Sequence, residues 1–261
     1  MELRLDSRTA LITGGSRGLG RAMAETFAAA GASVAVVARE RSALDETLAA
    51  LQSANPNAAH AAISADVREA AEVARAHAEA VAACGPIDIL VNNSGTSNAK
   101  PFLEIDDDDW QDDFDLKLFS AVRLCRLCLP HMRGQGWGRI INTLNIGAKA
   151  ASAHTCPTAA TRAAGLAMTK ALASEFAPDG VLVNALITGL LVTHQWRTRW
   201  ERENAGTTFE EFTAAVGNRI PAGRMGDAQE FANLALFLAS DAASYVTGTA
   251  INIDGGLSPV V

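Results

Sequence analysis

Thr9-Ala-Leu-Ile-Thr-Gly-Gly-Ser-Arg-Gly-Leu-Gly20 is the stretch on which the fold turns. Thr9 to Thr13 reads as a short strand, and Gly14, Gly18 and Gly20 follow it at once, where an amphipathic helix opens. A strand that runs through a glycine turn into a helix leaves backbone N–H groups converging on one point. Glycines let the chain approach a phosphate closely there, and the helix dipole favours its negative charge. The spacing is Gly-x3-Gly-x-Gly rather than the Gly-x-Gly-x-x-Gly of the more familiar dinucleotide fingerprint. Ser16, Arg17 and Leu19 complete the turn, so Gly14, Ser16, Arg17, Gly18, Leu19 and Gly20 form the expected cofactor cradle.

Working outward, short apolar runs recur at Ser33–Ala38, Ala61–Ala65, Asp88–Asn92, Arg139–Leu144, Val181–Ile187 and Ala250–Ile253. Most are apolar at consecutive positions, the pattern of strands covered on both faces. Between them Gly18–Ala30, Arg41–Ser53, Glu69–Ala83, Asp108–Met132 and Pro157–Phe176 carry apolar residues three and four apart. Such alternation predicts an α/β fold: a Rossmann-like, doubly wound, seven-stranded parallel sheet with helices on both faces. No repeat or low-complexity linker interrupts it, which predicts a single domain over residues 1–261.

Composition narrows the function classes. Of 261 residues, 49% are apolar and 20% charged, enough apolar matter for a sizeable core and too much for disorder. Twenty-nine acidic against 22 basic side chains leave a net charge of −7, which argues against nucleic acid as the partner. The N-terminus has no apolar h-region and no run reaches membrane-spanning length, so a soluble, cytoplasmic protein is expected. Four cysteines without a framework predict free thiols in a reducing compartment. Within them, Cys125-x-x-Cys128 lies in a helical pattern and reads as buried small hydrophobes. The acidic run Asp106–Asp109, with Asp112, Asp113 and Asp115, reads as a solvated helix start rather than a metal site.

The end of the second strand bears on which nucleotide binds. A carboxylate there would take the hydroxyls of a ribose, whereas this chain has Ala38-Arg39, with Arg17 contributed by the glycine turn. Two guanidinium groups suit a 2′-phosphate through charge-assisted bonds, which favours NADP(H), with NAD(H) as the alternative.

With these residues in view, nearly the whole length, from Leu5 to about Leu257, resembles the short-chain dehydrogenase/reductase family. Further matching pieces are Asp66-Val67, Asn92-Asn93-Ser94-Gly95, Ile220-Pro-Ala-Gly-Arg-Met-Gly226, Ser244-Tyr-Val-Thr-Gly248 and Asp254-Gly-Gly256. The resemblance implies a nicotinamide dinucleotide, a small-molecule carbonyl or alcohol substrate, and a homotetramer or homodimer. It also implies that Asp66 and Val67 meet the adenine, that Asn93 and Gly95 line the ribose, and that Thr193 touches the nicotinamide carboxamide. Residues 193–217 fall where the family carries a substrate lid; here they hold Trp196, Trp200, Phe209 and Phe212 beside Arg197, Arg199 and Arg202.

The family's Asn-Ser-Tyr-Lys tetrad is absent. Registered on Thr169-Lys-Ala-Leu172, Arg162 occupies the lysine slot and Thr158 the tyrosine slot; Asn145 stands for the serine and Lys117 for the asparagine. The single tyrosine, Tyr245, lies in the C-terminal motif. Threonine is far too weak an acid to replace a phenol, and arginine stays protonated. Lys117 is therefore the candidate acid/base, its pKa lowered by burial and by the charge of Arg162. Asn145 and Thr158 would bond the substrate oxygen, and Arg162 the nicotinamide ribose. Lys117 and Arg162 together would also suit an anionic substrate. The alternatives are a dinucleotide-binding partner subunit without turnover, and a non-redox lyase or isomerase on the same fold. His154 reads as an exposed loop residue, and Cys156 lacks an activating base.

Overall fold

Strand β1, Thr9–Thr13, is buried along its whole length. From it the chain alternates through α1 (Gly18–Ala29), β2 (Ser33–Ala38), α2 (Arg41–Ala54), β3 (His60–Ser64), α3 (Ala70–Cys84) and β4 (Ile89–Asn92). After α4 (Asp107–Phe114) and α5 (Ser120–Gln135) come β5 (Gly138–Asn145), α6 (Thr158–Phe176) and β6 (Val181–Thr188). The chain ends with β7 (Leu191–Val192), α7 (His194–Glu203), α8 (Phe209–Gly217), β8 (Gly226–Asp227), α9 (Ala228–Ala239) and β9 (Ala250–Ile253). This computed structural model describes residues 2–203 and 206–261.

Seven strands form one parallel sheet in the order β3-β2-β1-β4-β5-β6-β9. The chain winds outward one way from β1 and the other way from β4. At that reversal the connections part, and a crevice opens beyond the carboxyl ends of the two strands. One face of the sheet packs α1, α2 and α9 through Phe27, Leu44, Leu51, Phe231 and Leu238. The opposite face packs α3, α5 and α6 through Val73, Leu124, Leu129, Met132 and Ala173. Among the described residues no helix is long and apolar enough to cross a membrane.

The seven expected strands are present, with β3 one residue earlier than expected because His60 already pairs with Val34. Two features depart from the sequence reading. The helix expected over 108–132 is divided: α4 passes into a π turn, Asp115–Phe119, before α5 begins. A π turn accommodates one extra residue, which rotates the following helix by about 100° relative to the preceding one. Helix α9 and the β7–β8 pair form a second departure. Asp227 and Glu230 make a reciprocal capping box that starts α9, and Phe231, Ala235 and Leu238 then face α1.

Candidate active site

The crevice at the sheet reversal is a cleft of about 1120 Å³. Its floor is the glycine turn, where Gly14 and Gly18 adopt positive φ values of 62° and 54°. A Cβ on Gly20 would run into the Gly14 carbonyl, so the last glycine is what lets the turn close. The turn is fastened from two sides. Thr13 Oγ1 accepts the N–H groups of Asn93 and Ser94 at 2.9 and 3.0 Å. Thr47 Oγ1 on α2 donates to the Ser16 carbonyl at 3.2 Å.

Gly14, Ser16, Arg17, Gly18, Leu19, Arg39, Asn93, Gly95, Asn145, Thr158, Arg162 and Thr193 all line the cleft. Most of the residues singled out in the sequence therefore meet at one place. Four do not line it. Gly20 acts through the turn, and Lys117 stands behind Thr158. The Asp66 carboxylate is engaged by Arg68, at 2.6 Å in its shortest contact, and that partner holds it below the ordinary carboxylate range. Val67 is buried in the apolar core. Arg17 forms an ion pair with Glu40 at 2.6 Å, a partner the sequence reading did not include.

At the far end of the cleft, Lys117 is buried in the π turn and donates hydrogen bonds to Asp113 and, at 3.0 Å, to Thr158 Oγ1. Asn98 N–H also donates to Thr158 Oγ1, at 3.0 Å. Both lone pairs of that hydroxyl are thereby occupied, so its proton is left to be donated. Within the protein its acceptor is Asp113 Oδ1, a long 3.4 Å away, and its other side borders the cleft. Burial pulls Lys117 from its ordinary 10.5 down to about 8; Asp113 opposes the fall and the like charge of Arg162 adds to it.

Arg162 reaches along the wall, donates to the Thr143 carbonyl at 2.6 Å and lies so close over Gly95 that a side chain there would collide with it. Burial lowers its pKa to about 10, which leaves it charged at neutral pH. Its Nε, with Asn145 Oδ1 and Thr143 Oγ1, is buried without a hydrogen-bond partner. Unpartnered buried polar atoms are costly, and three around one cleft indicate a polar ligand that satisfies them. Glycine turn, free helix N-terminus, paired arginines and these orphaned atoms together fit a nicotinamide dinucleotide.

Asp113 was missed in the sequence. The acidic run does behave mostly as expected: Asp106 caps α4 by accepting the Asp109 N–H at 2.8 Å, and Asp112 and Asp115 pair with Arg68 and Arg123. Asp113 is the exception, buried against Lys117. The one available signal was its position four residues before a lysine, the spacing of a helical ion pair.

The remaining candidates lie elsewhere. Tyr245 is fully exposed. Neither His154 nor Cys156 lines the cleft. Cys125 and Cys128 are buried, and burial pushes both thiols up, Cys125 to about 12, leaving them inert as nucleophiles. In the lid, Trp196 lies tilted against Phe212 at 6.2 Å and Trp200 meets Phe209 edge-on at 5.8 Å, so its aromatics mainly join α7 to α8. Trp196, Arg199 and Arg202 also line the cleft, while residues 204 and 205 of that segment lie outside the described residues.

Comparison with known proteins agrees with this geometry. Residues 14–258 match a family model described as enoyl-(acyl carrier protein) reductase. A 3-oxoacyl-[acyl-carrier-protein] reductase of Escherichia coli is 32% identical, over 98% of this chain and 99% of its own. The L-sorbose reductase of Gluconobacter frateurii, solved with NADPH and L-sorbose, superposes with a TM-score of 0.94 at 32% identity, with both chains fully covered. An NADPH-bound short-chain oxidoreductase of Pseudomonas aeruginosa, described as containing an atypical catalytic center, superposes at 0.91 with 35% identity over 99% of each chain. With the sheet order, the glycine turn and full-length similarity in agreement, the chain belongs to the short-chain dehydrogenase/reductase family.

Proposed function

We propose that this protein is an NADP(H)-dependent oxidoreductase that interconverts a carbonyl and an alcohol, with Lys117 and Thr158 in place of the family's tyrosine as the proton source. When bound, the dinucleotide supplies or accepts the hydride. The relatives solved with NADPH support that cofactor, as do Arg17 and Arg39 on the cleft wall. Gly14, Gly18 and the α1 N-terminus would hold the pyrophosphate, Asn93 and Gly95 the adenosine side, and Thr193 and Arg162 the nicotinamide end.

The observation that carries the reading is the pair of N–H groups, from Lys117 and Asn98, both 3.0 Å from Thr158 Oγ1. They occupy the lone pairs of the hydroxyl and leave its proton to pass between Asp113 Oδ1 and a substrate oxygen in the cleft. In the reducing direction Thr158 donates that proton to the developing alkoxide and takes one from the Lys117 ammonium. The amine left behind is neutral and regains its proton from water through Thr158 once the alcohol has left the cleft. Asn145 supplies a second polar contact for the substrate oxygen. Lys117 at about 8 is far better matched to neutral operation than threonine alone.

A panel of carbonyl compounds beginning with L-sorbose and a 3-oxoacyl thioester, followed by NADPH consumption, tests the activity. Lys117→Met is expected to lower kcat by about 10²–10⁴ while NADPH still binds. Reduction needs the ammonium, so its rate should be level below pH 8 and fall above it; alcohol oxidation, which needs the free amine, should do the reverse. Unchanged turnover in Lys117→Met overturns the lysine assignment. NADPH binding without turnover of any carbonyl would instead make the chain a silent dinucleotide-binding partner.

A further inference from the structure

Asp113 lies at the end of α4 and Lys117 in the π turn that follows, and both side chains are only 1% exposed. One carboxylate gathers three donors from two separate elements. Oδ1 receives the Lys117 ammonium and faces the Thr158 hydroxyl, while Oδ2 accepts the Thr161 hydroxyl at 2.7 Å. A buried ion pair of this kind contributes little to stability compared with two apolar residues of the same volume. Its presence directly behind Thr158, which does line the cleft, calls for another reason.

The surrounding charges supply it. From α6, Arg162 is the other charged group acting on Lys117. From α4 and the π turn, Asp109 is occupied by Lys100 at 2.6 Å and Asp115 by Arg123 at 3.0 Å. Among the described residues, Asp113 is therefore the carboxylate facing Lys117. Without it a lysine Nζ in this dry site would be free to lose its proton and to swing away from Thr158.

We propose that Asp113 is the positioning residue of the reaction, steering the Lys117 ammonium onto the Thr158 hydroxyl and keeping it charged where water is excluded. The inference rests on the reading of Lys117 as proton source, but its consequence can be measured without any substrate. The chain has four lysines, Lys100, Lys117, Lys149 and Lys170. NMR titration of protein labelled with ¹³Cε-lysine should therefore resolve each one, the Lys117 signal being the one lost in Lys117→Met.

In the wild-type protein that signal should titrate near 8. Asp113→Asn removes the negative charge and keeps the shape, so its midpoint should fall by about one pH unit or more, a tenfold change in the protonation equilibrium. The alkaline limb of carbonyl reduction should move down with it. Reduction at pH 8 then drops about fivefold or more, while oxidation at pH 7 is retained or improved. A merely structural role would lower both directions together and leave the limbs in place.

Should Asp113→Asn fail to fold, Thr161→Val removes the donor on Oδ2 at nearly constant volume, so the carboxylate charge is less neutralised and the Lys117 midpoint should rise by a smaller amount. An unmoved Lys117 midpoint in the variant that folds overturns the proposal. If the midpoint moves but Lys117→Met retains full turnover, Asp113 still governs the lysine and it is the catalytic reading that fails.

Discussion

At the scale of single residues, small changes of size and charge decide the site. Gly20 is required because the Gly14 carbonyl occupies the place where its Cβ would stand. Gly20→Ala should open the turn and weaken NADPH binding by about tenfold or more, the cost of little more than one strained contact; fluorescence titration measures it, and unchanged affinity would refute the cradle. Thr158, Arg162 and Asn145 were legible because they stand at fixed distances from a recognisable neighbour sequence. Asp113 was not, since seven aspartates crowd residues 106–115 and only burial distinguishes this one from its solvated companions. Burial depends on what α6 brings against α4, and α6 begins more than forty residues later.

At the scale of elements, α4 and the π turn after it bring Asp113 and Lys117 to the Thr158 end of the cleft. Helix α4 is eight residues long, too short to be stable alone, and it starts from the Asp106 cap. Asp106→Ala should cost about 1 kcal/mol in chemical denaturation. Because α4 carries Asp113, the same variant should also reduce turnover; a cap that contributes nothing to either would mean that packing alone holds the helix. The strands were easier to recognise than this segment. A run such as Ser33–Ala38, apolar at nearly every position, has few other uses than a strand between two helical layers. An uninterrupted helical pattern over 108–132, by contrast, contains nothing local that announces one extra residue in a turn.

For the whole molecule, the relevant quantity is where charge sits rather than how much there is. The chain carries a net −7, yet Arg17, Arg39, Arg162, Arg199 and Arg202 converge on the cleft, with Glu203 the acidic member of its lining. Low-dielectric walls focus such a local field, so an anionic dinucleotide is drawn to a protein of the same overall sign. NADPH at about a hundred times its Kd should stabilise the fold by about 2.7 kcal/mol. At equal concentration NADH should raise the thermal midpoint less, because it lacks the 2′-phosphate that Arg17 and Arg39 would hold. Equal shifts for the two would remove the basis for preferring NADP(H). The ion pair of Arg17 with Glu40 makes that comparison informative, since the guanidinium must be shared between its own carboxylate and the phosphate.

Architecture, the cofactor turn and the loss of the tyrosine were all determined by the chain itself. Strand periodicity, glycine spacing and residue identity are local properties, and short-range sterics enforce them wherever they occur. What surrounds Lys117 and Thr158 was decided by tertiary structure alone. The burial that depresses the Lys117 pKa and the donors on the Thr158 hydroxyl arise from contacts between segments remote in sequence, although Asp113 stands only four residues from the lysine it holds. Desolvation and charge act through space, so their strength is set only once α4, the π turn and α6 have packed together.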